Sequence, residues 1–115
     1  MDNDAIEEMF QSLGGITIRR MFGGKGIYCG GRILAIDIRD EVLFKADAES
    51  APAFEAAGCR QWTYEGKKTK APVKMPYWSI PDEAFDDPDI MAEWVRRAYE
   101  AALRAKWDGP LSRRI

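Results

Sequence analysis

The chain contains no histidine. That absence removes the side chain that most often binds metals and moves protons near neutral pH, and with it the usual catalytic triads. Cysteine is almost as scarce. Cys29 and Cys59 lie far apart and form neither a CxxC pair nor a metal-type cluster, which excludes a structural zinc site of the common kinds. Cys59 follows Gly58 at an expected helix end and Cys29 sits in a strand-like run, so both read as small packing residues rather than reactive thiols. No apolar run approaches the length that spans a membrane, and the acidic opening MDNDAIEEMF lacks the Arg or Lys of a signal or transit peptide. The expected compartment is the cytoplasm, with no membrane partner. Positive charge is not in excess either: 17 Lys and Arg stand against 19 Asp and Glu, a net charge of −2. The bulk field that drives non-specific DNA binding is missing, so a nucleic-acid contact would have to use a local patch.

What is present is an ordinary globular balance, 46% apolar and 31% charged residues in a chain of 115. Such a chain supports one core and buries about 60–70% of its unfolded surface. The first apolar stripe, Ile6, Met9, Phe10 and Leu13, has helical spacing, stands behind the capping candidates Asn3 and Asp4, and closes at Gly14 and Gly15. From Ile16 to Lys45 the pattern becomes β-rich: ITIRRMF, KGIYC, RILAIDI and EVLFK are separated by short turns, so these strands connect antiparallel. In the third, strict alternation puts Leu34, Ile36 and Ile38 on one face and Ile33, Ala35 and Asp37 on the other. Residues Ala48 to Ala57 favour a second helix, with Pro52 in its first turn and Gly58 ending it. Strands around QWTYE and VKMPYWSI follow, and Pro76 marks the latter as an edge strand or a bulge. The last helix is capped by Asp87, starts at Pro88, and carries the stripe Met91, Val95, Ala98, Ala102 and Ala105. The predicted fold is α+β, a two-layer sandwich of an antiparallel sheet with helices on one face, ordered α-β-β-β-β-α-β-β-α. One domain is expected over residues 1–108, followed by a short basic tail over 109–115.

Few groups invite a chemical reading. Phe22-Gly23-Gly24-Lys25-Gly26 lacks the spacing of a phosphate loop and precedes a strand rather than a helix, so it reads as a glycine-rich turn or bulge. Lys67, Lys68, Lys70 and Lys74, flanked by Trp62, Tyr64, Tyr77 and Trp78, resemble the basic-plus-aromatic surfaces that hold single-stranded nucleic acid. The plainer account is a solvated hairpin loop over core aromatics. Arg97 and Arg104 each follow a glutamate by four residues, Glu93 and Glu100, in the favourable ion-pair orientation. Arg19 and Arg20 must point to opposite faces, so one is drawn towards the helices and needs a carboxylate or carbonyl partner. The acidic run Asp82, Glu83, Asp86, Asp87 and Asp89 lacks the pattern of a calcium loop and suits a helix start.

Four segments in order, RRMFGGKGIY, LFKAD, FEAAGCRQWTY and MPYWSIP, closely resemble the N-terminal domain of the TfoX/Sxy family from about Arg19 to the last helix. The resemblance implies a bacterial protein linked to natural competence, the uptake of DNA in transformation. Full-length members promote transcription of competence genes alongside a cyclic-AMP-responsive activator and carry a second, helical C-terminal domain. This chain ends soon after Trp107, so a stand-alone N-terminal domain is expected. The family brings no catalytic residues to carry over, and the matching Arg20, Met21, Phe22, Gly23, Gly24, Gly26 and Tyr28 read mainly as fold determinants. The expectation is therefore a non-enzymatic regulatory domain with no catalytic, cofactor or metal site. It would act through a protein partner, the transcription machinery or a regulator, and bind DNA weakly or not at all by itself. The alternative is direct nucleic-acid binding through Lys67, Lys68, Lys70 and Lys74. An enzyme using Cys29, Cys59 or paired carboxylates ranks last.

Overall fold

A computed structural model describes residues 1–21, 23–65 and 72–105 of the chain. The strands are β1 (Thr17–Met21), β2 (Gly24–Cys29), β3 (Arg32–Ile38), β4 (Glu41–Lys45), β5 (Gln61–Glu65) and β6 (Pro72–Trp78). They form one antiparallel sheet in the order β1-β2-β3-β4-β6-β5. The helices are α1 (Asn3–Met9), α2 (Ala51–Ala56) and α3 (Pro88–Arg104), with short 3-10 turns at Gln11–Leu13 and Asp82–Asp86. This is the α+β arrangement and element order that hydrophobic periodicity predicted.

Two irregularities decide which side chains face where. Ile27 pairs with Ala35 and Tyr28 with Ile33, so Leu34 is an extra residue in β3. The bulge breaks the alternation expected for this strand. Leu34 and Ala35 both enter the helix-side core, while Ile33, Ile36 and Ile38 belong to a second cluster. Asp37, in register with Lys25 and Val42, is buried on the helix side. Its Oδ2 lies 3.4 Å from the Met1 α-ammonium, which also donates to Asp40 Oδ1 at 3.1 Å. The hydrogen bond to Asp40 contributes most to raising the pKa of that amine. The second irregularity surrounds Pro76. Gln61 pairs with Trp78 but Thr63 with Lys74, so β6 carries surplus residues there. β6 is interior, between β4 and β5, and of the two expectations for Pro76 the bulge is the one realised. Its carbonyl accepts from Ala46 N at 3.0 Å, while the missing N–H is accommodated by the slipped register.

The helix-side core is dominated by Ile6, Phe10, Ile27, Leu34, Phe44, Phe54 and Val95, all essentially inaccessible. Phe54 anchors α2, its ring 4.8 Å from Trp94 and 6.2 Å from Trp78. Ala98, Ala101 and Ala102 are buried on α3, and their small size lets that helix lie close to the sheet. Ala105, expected in the same stripe, is instead the C-cap and half-buried.

The helix ends follow sequence logic with local corrections. Asp87 accepts from Asp89 N and Ile90 N ahead of Pro88, as expected. The cap of α1 is Asp2, accepting from Ala5 N at 2.8 Å, rather than Asn3 or Asp4. α2 is shorter than expected because Asp47 holds the preceding turn, accepting from Glu49 N and Ser50 N. Arg104 does not pair with Glu100. Its Nε and Nη2 reach the two Asp47 oxygens at 2.8 and 3.0 Å, and Glu100 goes to Arg96. A fixed acceptor offering both oxygens to one guanidinium outweighs a flexible exposed pair along a helix. The Arg104 hydrogen bonds hold the Asp47 carboxyl well below the usual range. The expected Glu93–Arg97 pair does form, at 3.9 Å.

Candidate interaction surface

Of the four lysines proposed as a nucleic-acid contact, Lys67, Lys68 and Lys70 lie outside the described residues. Lys74 is exposed on β6, in register with Thr63. The flanking aromatics do not share one platform. Trp78 points into the helix-side core; Trp62 and Tyr77 face the other side with ring centroids 6.5 Å apart. Tyr64 alone is largely exposed, at 52%. Neither arginine of the Arg19-Arg20 pair is buried against the helices. Arg19 lies over the Tyr28 ring at 5.8 Å, and among the described residues no ion pair holds Arg20. Exposed guanidiniums stay hydrated, so the expected buried ion pair is unnecessary.

The glycines of the β1–β2 hairpin serve the backbone in two ways. Gly23 has φ +76°, which side chains rarely adopt. Gly24 has no such φ; a Cβ there would run into the Asp37 carbonyl oxygen and come 3.1 Å from Ile38 Cδ1. At Gly26 a Cβ would meet Met21 Sδ at 2.7 Å and Tyr28 Cε1 at 2.9 Å. The glycines therefore let β1, β2 and β3 close up, in line with a structural role for this motif.

That close approach builds the feature with the clearest capacity to bind. On the side of the sheet away from the helices, Ile36, Leu43 and Tyr77 form a second buried cluster, bordered by the partly buried Met21, Ile33, Ile38, Trp62 and Met75. Every one of these residues belongs to a strand. Among the described residues, no helix contributes to this cluster. Its centre is buried beneath its own rim, and the rim side chains, Met21, Ile33, Ile38, Trp62 and Met75, are themselves only partly buried. Glu41, paired with Arg60, and Arg19 give the face a charged border.

The family model of the TfoX N-terminal domain matches residues 8–102. The chain belongs to that family. No curated protein matches it. The TfoX N-terminal domain is a competence-related regulatory domain, and the match spans the sheet, α2, the last two residues of α1 and all but the end of α3. Within this TfoX domain the two thiols pack against the helix-side core, and burial pushes the Cys59 pKa up. Among the described residues, no group of three or more Cys, Asp or Glu side chains could hold a metal ion. Nor is any helix there long and apolar enough to cross a membrane.

Sequence reasoning missed the second apolar cluster of the TfoX domain, on the sheet side away from the helices. The signal was available in EVLFK: Val42 and Phe44 supply the helix side and Leu43 the other, so β4 is apolar on both faces. A strand apolar on both faces calls for cover on both. Among the described residues, the helices supply it on one side only.

Proposed function

We propose that this domain works without catalysis, as a docking module in the transcriptional control of competence, and that a protein partner packs on the side of the sheet away from the helices. The observation that carries this reading is the strand-built apolar cluster around Ile36, Leu43 and Tyr77. Its rim of partly buried apolar side chains inside a charged border suits an interaction site, where an apolar centre is ringed by polar groups. The partner surface that fits is apolar, able to seat Met21, Trp62 and Met75, with polar groups opposite Arg19 and the Glu41–Arg60 pair. The four fragments of family sequence contribute to this face through Met21, Leu43, Trp62, Met75 and Tyr77.

The reading is tested against direct nucleic-acid binding by fluorescence anisotropy on labelled duplexes across a salt series. We expect weak, sequence-indifferent binding, with a dissociation constant above roughly 1 µM near physiological salt. Each phosphate contact adds about 0.9 to the magnitude of the salt slope, so the four candidate lysines could supply a slope of at most about 4. The exposed arginines do not combine with Asn or Gln on a free helix face to read a major groove. Sub-micromolar, sequence-selective binding by the purified chain would instead favour the surface containing Lys67, Lys68, Lys70 and Lys74.

A further inference from the structure

A net charge of −2 conceals a strongly uneven distribution. Residues 1–18 contain four carboxylates and residues 79–95 contain six, and neither segment contains a Lys or Arg. All 17 Lys and Arg lie in the remainder of the chain, among the other nine carboxylates. Folding brings the two acidic segments together. Between α1 with its 3-10 turn on one side, and the Asp82–Asp86 turn with the start of α3 on the other, runs a groove of about 390 Å³. Its apolar lining includes Ala5, Met9, Ala84, Met91 and Ala92, and Glu8 and Asp86 stand at its border. Phe85 also lines it, with 52% of its surface exposed.

Charge and shape point the same way. Among the described residues, Glu93 is the only carboxylate side chain of these two segments in an ion pair. Glu8 and Asp86, the two that line the groove, are without such a partner among the described residues, and a cation brought there is attracted to both. Met1 also lines the groove, but its α-ammonium is paired with Asp37 and Asp40, so the charged side chains at the border are the carboxylates Glu8 and Asp86. An apolar trough with such a border matches an amphipathic helix of opposite charge, whose apolar stripe fills the trough while its flanks meet the border. We infer that this groove binds a cationic amphipathic helix, with Phe85 packing against the helix's apolar stripe and Glu8 and Asp86 meeting its Lys or Arg residues. The site is on the helical side of the molecule and does not depend on what covers the sheet. A domain with both surfaces could bridge two partners.

The probe is a labelled synthetic helix of roughly 18 residues, with Leu at i, i+3, i+4 and i+7 and Lys elsewhere. Anisotropy titrations should show saturable binding to the purified chain, weakening as salt is added. Phe85→Ala should weaken it about tenfold or more, as expected for an aromatic anchor. Glu8→Lys with Asp86→Lys should weaken it similarly and let the Leu/Glu counterpart bind instead. Amide chemical-shift changes should centre on Ala5, Met9, Ala84 and Ala92. Unchanged affinity in Phe85→Ala, or equal binding by a scrambled peptide of the same composition, would overturn the inference. So would shifts centred on Ile38 and Met75, which would assign the peptide to the sheet face. Phe85 and Glu8 are exposed, so these variants should keep the parent melting temperature, and circular dichroism on each variant checks that they do.

Discussion

Replacing Gly24 with alanine is expected to cost about 2–4 kcal/mol of stability, against about 1–2 kcal/mol for the same change at Gly23. The order follows from what each position lacks room for. Gly23 has φ +76° but open space around it, so alanine there carries only the penalty of a left-handed backbone. Gly24 faces the main chain of β3, where the Asp37 carbonyl oxygen occupies the space a methyl group would need. That carbonyl belongs to a strand paired on both sides and cannot rotate away. Relief requires β2 and β3 to separate, which loosens the cluster around Ile36 as well. Urea denaturation of the two variants measures the difference. A Gly24→Ala variant at least as stable as Gly23→Ala would show that the hairpin yields where the structure says it cannot.

Phe54→Ala should be as damaging or more so, with a loss of about 3–5 kcal/mol. α2 has six residues and Phe54 is its only buried one. The helix is too short to persist on intrinsic propensity, so it exists because this ring enters the space between Trp94 and Trp78. Removing the ring leaves a cavity against two indoles and deprives the β4-to-β5 connection of its anchor. For a domain of this size the midpoint of thermal unfolding should fall by roughly 10–20 °C. Hydrogen exchange should show Cys59 N, which donates to the Phe54 carbonyl, exposed earlier than the strand amides. A shift of only a few degrees would mean that α2 is held by something other than Phe54.

Most of the fold was legible because most elements obey one rule at a time. Asp87-Pro88 starts α3 where capping chemistry puts it, and Gly58 ends α2 where a helix needs a left-handed residue. What was not legible arises where two chains of contacts compete. Nothing in RILAIDI marks the extra residue at Leu34, because a bulge is a property of the pair β2–β3 and not of one strand. Arg104 had a suitable glutamate one turn away, and chose Asp47 because the turn before α2 had already fixed that carboxylate. Pro76 shows the intermediate case: the residue announced an irregularity, and pairing decided that it would be a bulge inside the sheet. The candidate site was less legible than the fold. The lysines drew attention because charge is visible along a sequence. Met21, Ile36, Leu43, Trp62 and Met75 become one surface only when five strands are laid side by side. The acidic groove is half visible in the sequence, as the acidic run after Pro81, but its pairing with the acidic first helix is a product of packing.

The central claim is that a protein docks on the sheet face around Ile36, Leu43 and Tyr77, and site-directed photocrosslinking in the producing cells tests it most directly. A benzophenone amino acid would be placed at Trp62, in the border of that face, and in a separate variant at Glu55, exposed on α2 in the helical layer. The account predicts discrete protein adducts from position 62 that are missing from position 55, and that disappear when Met75→Glu is added. Adducts to nucleic acid alone from position 62, or the same proteins from both positions, would contradict it.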